Sequence, residues 1–149
     1  FEALDILGKS HNQFDLDPQD EVKLCEYAKE NLGSEFIFVE KFPGLKRPFY
    51  AMDSKDDPKL AESFDLLFRG LEITTGGQRI HDLAELEKKM ERYNMKPEDV
   101  GSYTDIFRYG MHPHGGLGIG MERLVMKLLD LQNIRKASLF PRDLNHLDP

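Results

Sequence analysis

Apolar residues recur at helical spacing in the first third of the chain. After Asp17-Pro18, which read as an N-cap followed by a proline in the first helical turn, apolar positions are three or four residues apart until Gly33. This pattern predicts a helix over residues 18–32. Cys25 lies on its apolar stripe, and we expect a small core residue there and not a nucleophile.

Extended segments follow without a helix between them. Residues 36–39 are aromatic and β-branched, and Arg47–Met52 forms a second extended stretch before a polar turn. Residues 63–79 are again strand-like, although they carry acids at 65 and 72 and bases at 69 and 79. Three successive strands without a crossover helix predict antiparallel pairing.

The second half of the chain predicts helices around one glycine-rich strand. Asp82 and Glu85 mark the start of a helix that fades near residue 94, and a short helix is expected around 102–109. A glycine-rich strand over 114–120 runs directly into a helix from 121, and residues 137–140 predict a last strand before a Pro141–Asp143 turn. The fold class is therefore predicted to be α+β, an antiparallel sheet flanked by helices.

Composition excludes several classes of protein. The 149 residues carry 20 Lys+Arg and 27 Asp+Glu, and no apolar run has the roughly 20 residues of a membrane span. A single cysteine excludes a disulfide framework, so a reducing, cytoplasmic location is expected. Residues 1–99 hold 14 basic and 22 acidic side chains, whereas residues 100–149 hold 6 and 5. A polyanion would therefore be expected to contact the last third.

The glycine-rich strand is one candidate for chemistry. Glycines allow a close approach of backbone to a nucleotide, and a helix N-terminus offers amide donors. The pattern matches neither a Rossmann fingerprint nor a P-loop, and the glycines could serve only close strand packing. Arg123 in the first helical turn favours a phosphate site.

The pair Asp65 and Glu72 is the second candidate. Strict alternation would point them to opposite faces of a strand, so sharing a ligand requires a bulge, a bend or a hairpin at Arg69-Gly70. The alternative is that both carboxylates simply face solvent. Thr75 and Arg79 nearby favour a Mg²⁺ site beside a receptor for a carboxylate.

Two long segments carry a family resemblance. The first, residues 64–81, reads Phe-Asp-x-x-x-Arg-Gly-x-Glu-Ile-x-x-Gly-Gly-Gln-Arg-x-His, and the second, residues 116–123, reads Gly-x-Gly-x-Gly-Met-Glu-Arg. The second resembles motif 3 of class II aminoacyl-tRNA synthetases, and Leu139–Asp143 extends the match. The first resembles the aspartyl-tRNA synthetases of archaeal and eukaryotic type.

The resemblance implies roles for the matching positions. Glu72, with Asp65 and the Thr75 hydroxyl, would hold Mg²⁺ on the phosphates of ATP, and Arg79 with Thr75 would bind aspartate. Glu72 and Arg123 are the expected catalytic residues, with Arg123 on the γ-phosphate. The expected ATP-binding residues are Glu72, Gly120, Met121, Glu122 and Arg123.

The resemblance also predicts a piece of a larger enzyme. Residues 1–35 would be a helical insertion that follows motif 2, and residues 36–149 the C-terminal part of the catalytic domain. Motifs 1 and 2 are absent, so the chain alone is expected to be inactive, and the parent is expected to be a homodimer through motif 1. The acceptor end of tRNA(Asp) is the expected macromolecular partner. His146 stands where the family usually has Arg.

Two other functions stay open on the sequence. An asparaginyl-tRNA synthetase, or a synthetase-like amide-forming paralogue, would share most of these residues. A non-catalytic module for RNA or protein interaction would be expected to have lost ligand residues, yet Glu72, Arg79 and Arg123 are all present.

Overall fold

The computed structural model describes residues 2–11, 15–142 and 144, which form five α-helices and four β-strands. The helices are α1 (Glu2–Leu7), α2 (Pro18–Tyr27), α3 (Leu83–Arg92), α4 (Gly101–Arg108) and α5 (Met121–Leu128). The strands are β1 (Phe36–Glu40), β2 (Ser63–Phe68), β3 (Leu71–Arg79) and β4 (His114–Ile119). A π-helical turn, Ala28–Leu32, continues α2, and short 3-10 helices span Gly44–Lys46, Pro97–Val100 and Ile134–Ala137. None of the helices in these ranges is long and apolar enough to cross a membrane.

The four strands form one sheet in the order β1-β2-β3-β4, so each strand pairs with the next strand in the chain. At one end of the β1/β2 pair the amide of Lys41 donates to the carbonyl of Ser63 (3.0 Å), and at the other end the amide of Arg69 donates to the carbonyl of Glu35 (3.3 Å). Residue numbers that rise on one strand and fall on its neighbour mean antiparallel pairing. The predicted α+β fold with an antiparallel sheet is confirmed.

The described residues divide into two compact units. The first comprises those within Phe1–Phe38, Asp65–Thr75 and Gly118–Pro149, and the second comprises Val39–Phe64 and Gly76–Leu117. Candidate residues 65, 72, 75 and 120–123 therefore belong to the first unit, and Arg79 belongs to the second.

The first unit contains the helix that the sequence predicts over residues 18–32, which is α2 with its π-helical turn. The Asp17 carboxylate accepts hydrogen bonds from the amides of Gln19 (2.9 Å) and Asp20 (3.0 Å), and Gly33 ends the helical segment in the left-handed region with φ 64°. Cys25 is 6% exposed, and burial raises the pKa of its thiol. The expectation of a buried core cysteine is confirmed.

The second unit has its own apolar core. Asp82 caps α3 by accepting from the amide of Glu85 (3.0 Å), as the sequence predicts. The buried members of the core come from α3, α4 and two extended segments. They are Met52, Ile80, Leu86, Met90 and Phe107.

One lysine is buried beside this core. Lys89 is 2% exposed, and its Nζ donates to the carbonyl of Ala51 and to the Asp53 carboxylate (2.6 Å). Arg92, on the same helix, also binds Asp53. Burial alone would raise the pKa of Asp53, but the hydrogen bonds from Lys89 and Arg92 outweigh it and lower that pKa. The interactions of Lys89 and Arg92 with Ala51 and Asp53 therefore hold residues 51–53 against α3.

Two predicted strands are wrong. In Arg47–Met52 the amide of Ala51 donates to the carbonyl of Pro48 (2.9 Å), which makes a turn. Pairing with the end of β3 is confined to a bridge between Ala51 and Arg79, with one hydrogen bond on each side of it, from the amide of Met52 to the carbonyl of Gln78 (2.9 Å) and from the amide of Ile80 to the carbonyl of Tyr50 (2.9 Å). In place of a strand at 137–140, Asn133 caps a 3-10 helix by accepting from the amide of Arg135 (3.0 Å). A turn with one isolated bridge in the first segment, and a 3-10 helix before the second, thus stand in place of the two continuous strands that the apolar pattern suggested. Asp143 of the predicted turn and His146 lie outside the described residues.

Candidate active site

The β2–β3 hairpin carries the candidate residues Asp65 and Glu72. The pairing register of β2 with β3 at the turn differs from the register at the open end of the hairpin. The turn Arg69-Gly70 has φ values of 47° and 78°, as a two-residue type I′ turn requires, which places Phe68 opposite Leu71. At the other end, the amide of Gln78 donates to the carbonyl of Glu62 (2.8 Å). Glu62 lies six residues before Phe68 in the sequence, whereas Gln78 lies seven residues after Leu71. The β3 strand therefore contains one extra residue.

An extra residue of this kind is a β-bulge. A Cβ on Gly77 would lie 2.9 Å from the Cα of Ser63, which agrees with the register at the Gln78 end. The bulge therefore lies between Leu71 and Gly77, the stretch that contains Glu72 and Thr75. The register that the turn sets places Leu67 opposite Glu72, so Asp65 and Glu72 lie on the same face of the hairpin, and the turn at Arg69-Gly70 meets the geometric condition for them to share a ligand.

Glu72 is held through its main chain. Its amide donates to Oε2 of Glu21 on α2 (2.9 Å), and its carbonyl accepts from Nη1 of Arg123 on α5 (2.9 Å). The next carbonyl, that of Ile73, accepts from the amide of Gly120 (2.8 Å). The Glu72 carboxylate lies 3.7 Å from the same Arg123 nitrogen, and the side chain is 30% exposed. The backbone is fixed while the carboxylate can still reach a ligand.

The start of α5 offers donors for an anion. Gly120 precedes the helix, and a Cβ there would lie 3.2 Å from Cδ of Arg123, so the glycine leaves room for that side chain. Met121 and Glu122 are exposed. The amides of the first helical turn have no partner within a helix, and they favour a negative charge together with the Arg123 guanidinium. This arrangement suits a phosphate group.

Asp65, Glu72 and Thr75 supply oxygen donors for a metal ion. Among residues 2–11, 15–142 and 144, no three His, Cys, Asp or Glu side chains cluster as a metal site. Two carboxylates and one hydroxyl are nevertheless hard oxygen ligands, and Mg²⁺ commonly binds one or two carboxylates together with waters and substrate phosphates. The donor set fits Mg²⁺ that is shared with a phosphate ligand.

Arg79 in the second unit presents its guanidinium for a ligand. Its Cζ lies 4.9 Å from the ring centroid of Tyr50, and a Cβ on Gly116 would lie only 2.6 Å from its Nη2. Within the part of the chain that the structure describes, the guanidinium has no hydrogen bond or ion pair. Packing against a ring and a glycine backbone thus orients the donor groups without consuming them.

Tyr103 borders the same aromatic neighbourhood. Its ring centroid lies 6.4 Å from that of Tyr50 and 5.0 Å from that of Phe107. Burial raises the pKa of the Tyr103 hydroxyl, although the positive charge of Arg79 opposes that rise. The hydroxyl is buried without a hydrogen-bond partner among the described residues. A polar atom left in this state is available to an incoming polar group.

Sequence reasoning missed three residues of the site. Glu21, Tyr50 and Gly116 act on Glu72 and Arg79 through contacts with residues far along the chain. An aromatic residue at position 50 and a glycine at 116 were visible, but no local pattern paired them with Arg79. No feature of the α2 sequence indicated that the Glu21 side chain would accept a hydrogen bond from β3.

Comparison with known proteins shows the family of this chain. The family model described as tRNA synthetases class II (D, K and N) matches residues 2–144. The aspartate–tRNA(Asp/Asn) ligase of Deinococcus radiodurans is 49% identical over 91% of this chain, which spans 32% of that relative.

Solved structures give the same result. The aspartyl-tRNA synthetase from Entamoeba histolytica is 42% identical with a TM-score of 0.93, over 99% of this chain and 31% of that one. The asparaginyl-tRNA synthetase from Pyrococcus horikoshii is 35% identical with a TM-score of 0.87, over 99% of this chain and 36% of that one. The chain thus spans about a third of the length of these relatives, and it belongs to the class II tRNA synthetase family of the D, K and N type.

Proposed function

We propose that this chain is the part of an aspartate–tRNA ligase that binds ATP and the side chain of aspartate. The observation that carries the proposal is Arg79, whose guanidinium is oriented by Tyr50 and Gly116 but has no hydrogen bond or ion pair among the described residues. A guanidinium fork matches a carboxylate in bidentate fashion. The greater similarity to aspartate enzymes (49% and 42%) than to the asparaginyl enzyme (35%) supports aspartate over asparagine.

The proposed reaction needs alignment and charge neutralisation. The α-carboxylate of aspartate is an anionic nucleophile at neutral pH, so its attack on the α-phosphorus of ATP requires no general base. The new carboxyl–phosphate bond forms as the bond to pyrophosphate breaks, which yields aspartyl-adenylate. A ribose hydroxyl at the tRNA end then attacks the aspartyl carbonyl and AMP leaves.

Residues of the first unit would handle the phosphates. Asp65, Glu72 and Thr75 would hold Mg²⁺, which neutralises phosphate charge when it is bound. Arg123 and the first-turn amides of α5 (Met121, Glu122) after Gly120 would bind the phosphates, with Arg123 on the γ-phosphate. In the second unit Arg79 would select the side-chain carboxylate, and we assign Thr75 to the aspartate site as well.

We extend the proposal to the parent protein. We expect it to act in the cytoplasm, to charge tRNA(Asp) and to form a homodimer through motif 1. Residues 1–35 would be an insertion-like segment, and residues 36–149 the C-terminal part of the catalytic domain. The 149-residue chain is expected to be inactive by itself, because the arginine that class II enzymes place on the α-phosphate belongs to motif 2.

An Arg79→Gln variant of the full-length protein tests the proposal. In aspartate-dependent ATP–pyrophosphate exchange, we expect the KM for aspartate to rise about 100-fold, the usual effect of removing one partner of a charged pair. The KM for ATP should stay unchanged, because Arg79 is not assigned to the phosphates. Arg108→Gln is the matched control, since Arg108 is an exposed residue of the same unit that forms an ion pair with Asp105.

Other outcomes would support the alternatives. A wild-type preference for asparagine over aspartate in the same assay would identify an asparaginyl enzyme. A full-length protein that shows no ATP–pyrophosphate exchange with either aspartate or asparagine would favour the non-catalytic module. Substantial exchange by the 149-residue chain alone would overturn the assignment of an essential residue to motif 2.

A further inference from the structure

We infer that Glu21 on α2 is a positioning residue that orients the Glu72 carboxylate toward Mg²⁺ and ATP. The inference rests on the proposed function of Glu72. Glu21 lies within residues 1–35, a region to which the family resemblance assigns no part in catalysis.

The register of the β2–β3 hairpin explains why the Glu72 amide needs a partner other than β2. Phe68 and Leu71 form the hydrogen-bonded pair that closes the two-residue turn, so Glu72 lies opposite Leu67 in a non-hydrogen-bonded pair and its amide points away from β2. The amide of Glu72 donates to Oε2 of Glu21 at 2.9 Å. A backbone N–H without a partner in a half-buried position is costly, and a bond to an ionised carboxylate is stronger than one to a neutral acceptor. Glu21 thus stabilises the backbone at the proposed metal ligand.

Two side chains hold Glu72 through its own peptide groups. Glu21 binds its amide, and Arg123 binds its carbonyl at 2.9 Å. If Glu21 is removed, Arg123 alone cannot fix the peptide that precedes Glu72, and the carboxylate direction is no longer determined. A metal ligand that points in a range of directions binds the ion less tightly.

Helix α2 holds Glu21 in a fixed position for its hydrogen bond with the Glu72 amide. Its first turn is capped by Asp17 and begins with Pro18, and Leu24 and Cys25 anchor its inner face in the core of the first unit. Glu21 is half-buried one turn above the cap. A charge held on a fixed helix keeps its partner in place with little loss of side-chain entropy.

The test is the Mg²⁺ dependence of aspartate-dependent ATP–pyrophosphate exchange by the full-length protein. For Glu21→Ala we expect the Mg²⁺ concentration at half-maximal rate to rise about 10-fold, the lower end of what loss of an outer partner of a metal ligand produces. The KM for aspartate should not change, because Arg79 is untouched. Glu21→Gln keeps an acceptor oxygen for the Glu72 amide and should remain close to wild type.

Two further variants keep the test decisive. Glu21→Asp retains the charge but is one methylene shorter, so it should show the Mg²⁺ shift even if Glu21→Ala fails to fold. Glu26→Ala removes the same charge from an exposed position on the same helix and should behave as wild type.

The outcomes separate the two proposals. A wild-type protein without exchange activity would overturn the proposed function. An active protein whose Glu21→Ala and Glu21→Asp variants keep the wild-type Mg²⁺ dependence would overturn only the role of Glu21. A shift of equal size in Glu21→Gln or in Glu26→Ala would also overturn it, because charge and not the hydrogen bond would then be responsible.

Discussion

At the scale of single residues, the candidate site depends on a glycine, which has no side chain, as much as on the charged residues. Arg79 packs against Gly116 so closely that any Cβ at that position would overlap its guanidinium. The sequence identified Arg79 and the glycine-rich strand separately, from the chemistry of each. Their contact follows from strand packing and could not be derived from either segment.

A Gly116→Ala variant should therefore damage aspartate binding. The added methyl group would displace the guanidinium of Arg79, because the nearest nitrogen would be only 2.6 Å away. We expect the KM for aspartate to rise roughly 10- to 100-fold, as expected for a displacement of about 1 Å, with the KM for ATP unchanged. Steady-state pyrophosphate exchange measures both constants.

The control is Gly101→Ala, since a Cβ at this helical glycine would have nothing within 4 Å. It should match the wild-type protein in both constants. An unchanged aspartate KM in Gly116→Ala would show that Arg79 can move without loss of binding.

At the scale of secondary-structure elements, local signals predicted most helices and failed for two strands. The capping residues Asp17 and Asp82 mark helix starts because their side chains bond to amides only two or three positions away. The stretch Arg47–Met52 has the composition of a strand, but Pro48 turns the chain and the segment is instead fastened to α3 through Lys89 and Asp53.

The buried pair between Lys89 and Asp53 gives a stability prediction. An Asp53→Ala variant would leave the ammonium of Lys89 buried without its counter-charge, which typically costs about 3 kcal/mol. Amide hydrogen exchange in α3 and around residue 51 should then be about 100-fold faster. Hydrogen–deuterium exchange with mass spectrometry on the full-length protein would measure it.

Two further variants serve as controls for this prediction. Asp105→Ala breaks an exposed pair with Arg108 and should change exchange little. The double variant Asp53→Ala/Lys89→Met removes both charges and should recover much of the lost protection. If Asp53→Ala and Asp105→Ala had equal effects, the buried pair would not be a main support of α3.

At the scale of the whole molecule, both units rely on ionised carboxylates. In the first unit, Lys9 and backbone amides lower the pKa of Asp17 and Asp20, and Arg69 lowers that of Glu35. In the second, bonds from basic side chains lower the pKa of Asp53 and Glu62. For Asp20 and Asp53 these bonds outweigh burial, which acts in the opposite direction.

These shifts predict a loss of stability in acid. Because the folded pKa values are lowered, the unfolded chain binds more protons, and stability rises with pH across this range. The stabilisation is complete above about pH 5, where these carboxyls are ionised in both states, and it is lost as the pH falls through the lowered folded values. The melting temperature of the full-length protein should fall steadily between pH 5 and pH 3.

Circular dichroism melts at a series of pH values would check this. Asp53→Asn removes one of the responsible carboxylates and should show a weaker dependence on pH. A melting temperature that stays constant, or that rises on acidification, would contradict the assignment.

The sequence by itself determined the helices with local caps, the antiparallel order of the strands, the glycine-rich strand that enters α5, and the residues that carry phosphate and carboxylate chemistry. These follow from interactions between residues that are close in the chain. Only the tertiary structure decided the bulge in β3, the backbone support of Glu72 by Glu21 and Arg123, and the packing of Arg79 on Tyr50 and Gly116. Strand register and such contacts depend on how distant segments pack together, and no local pattern of hydrophobic and polar residues encodes that packing.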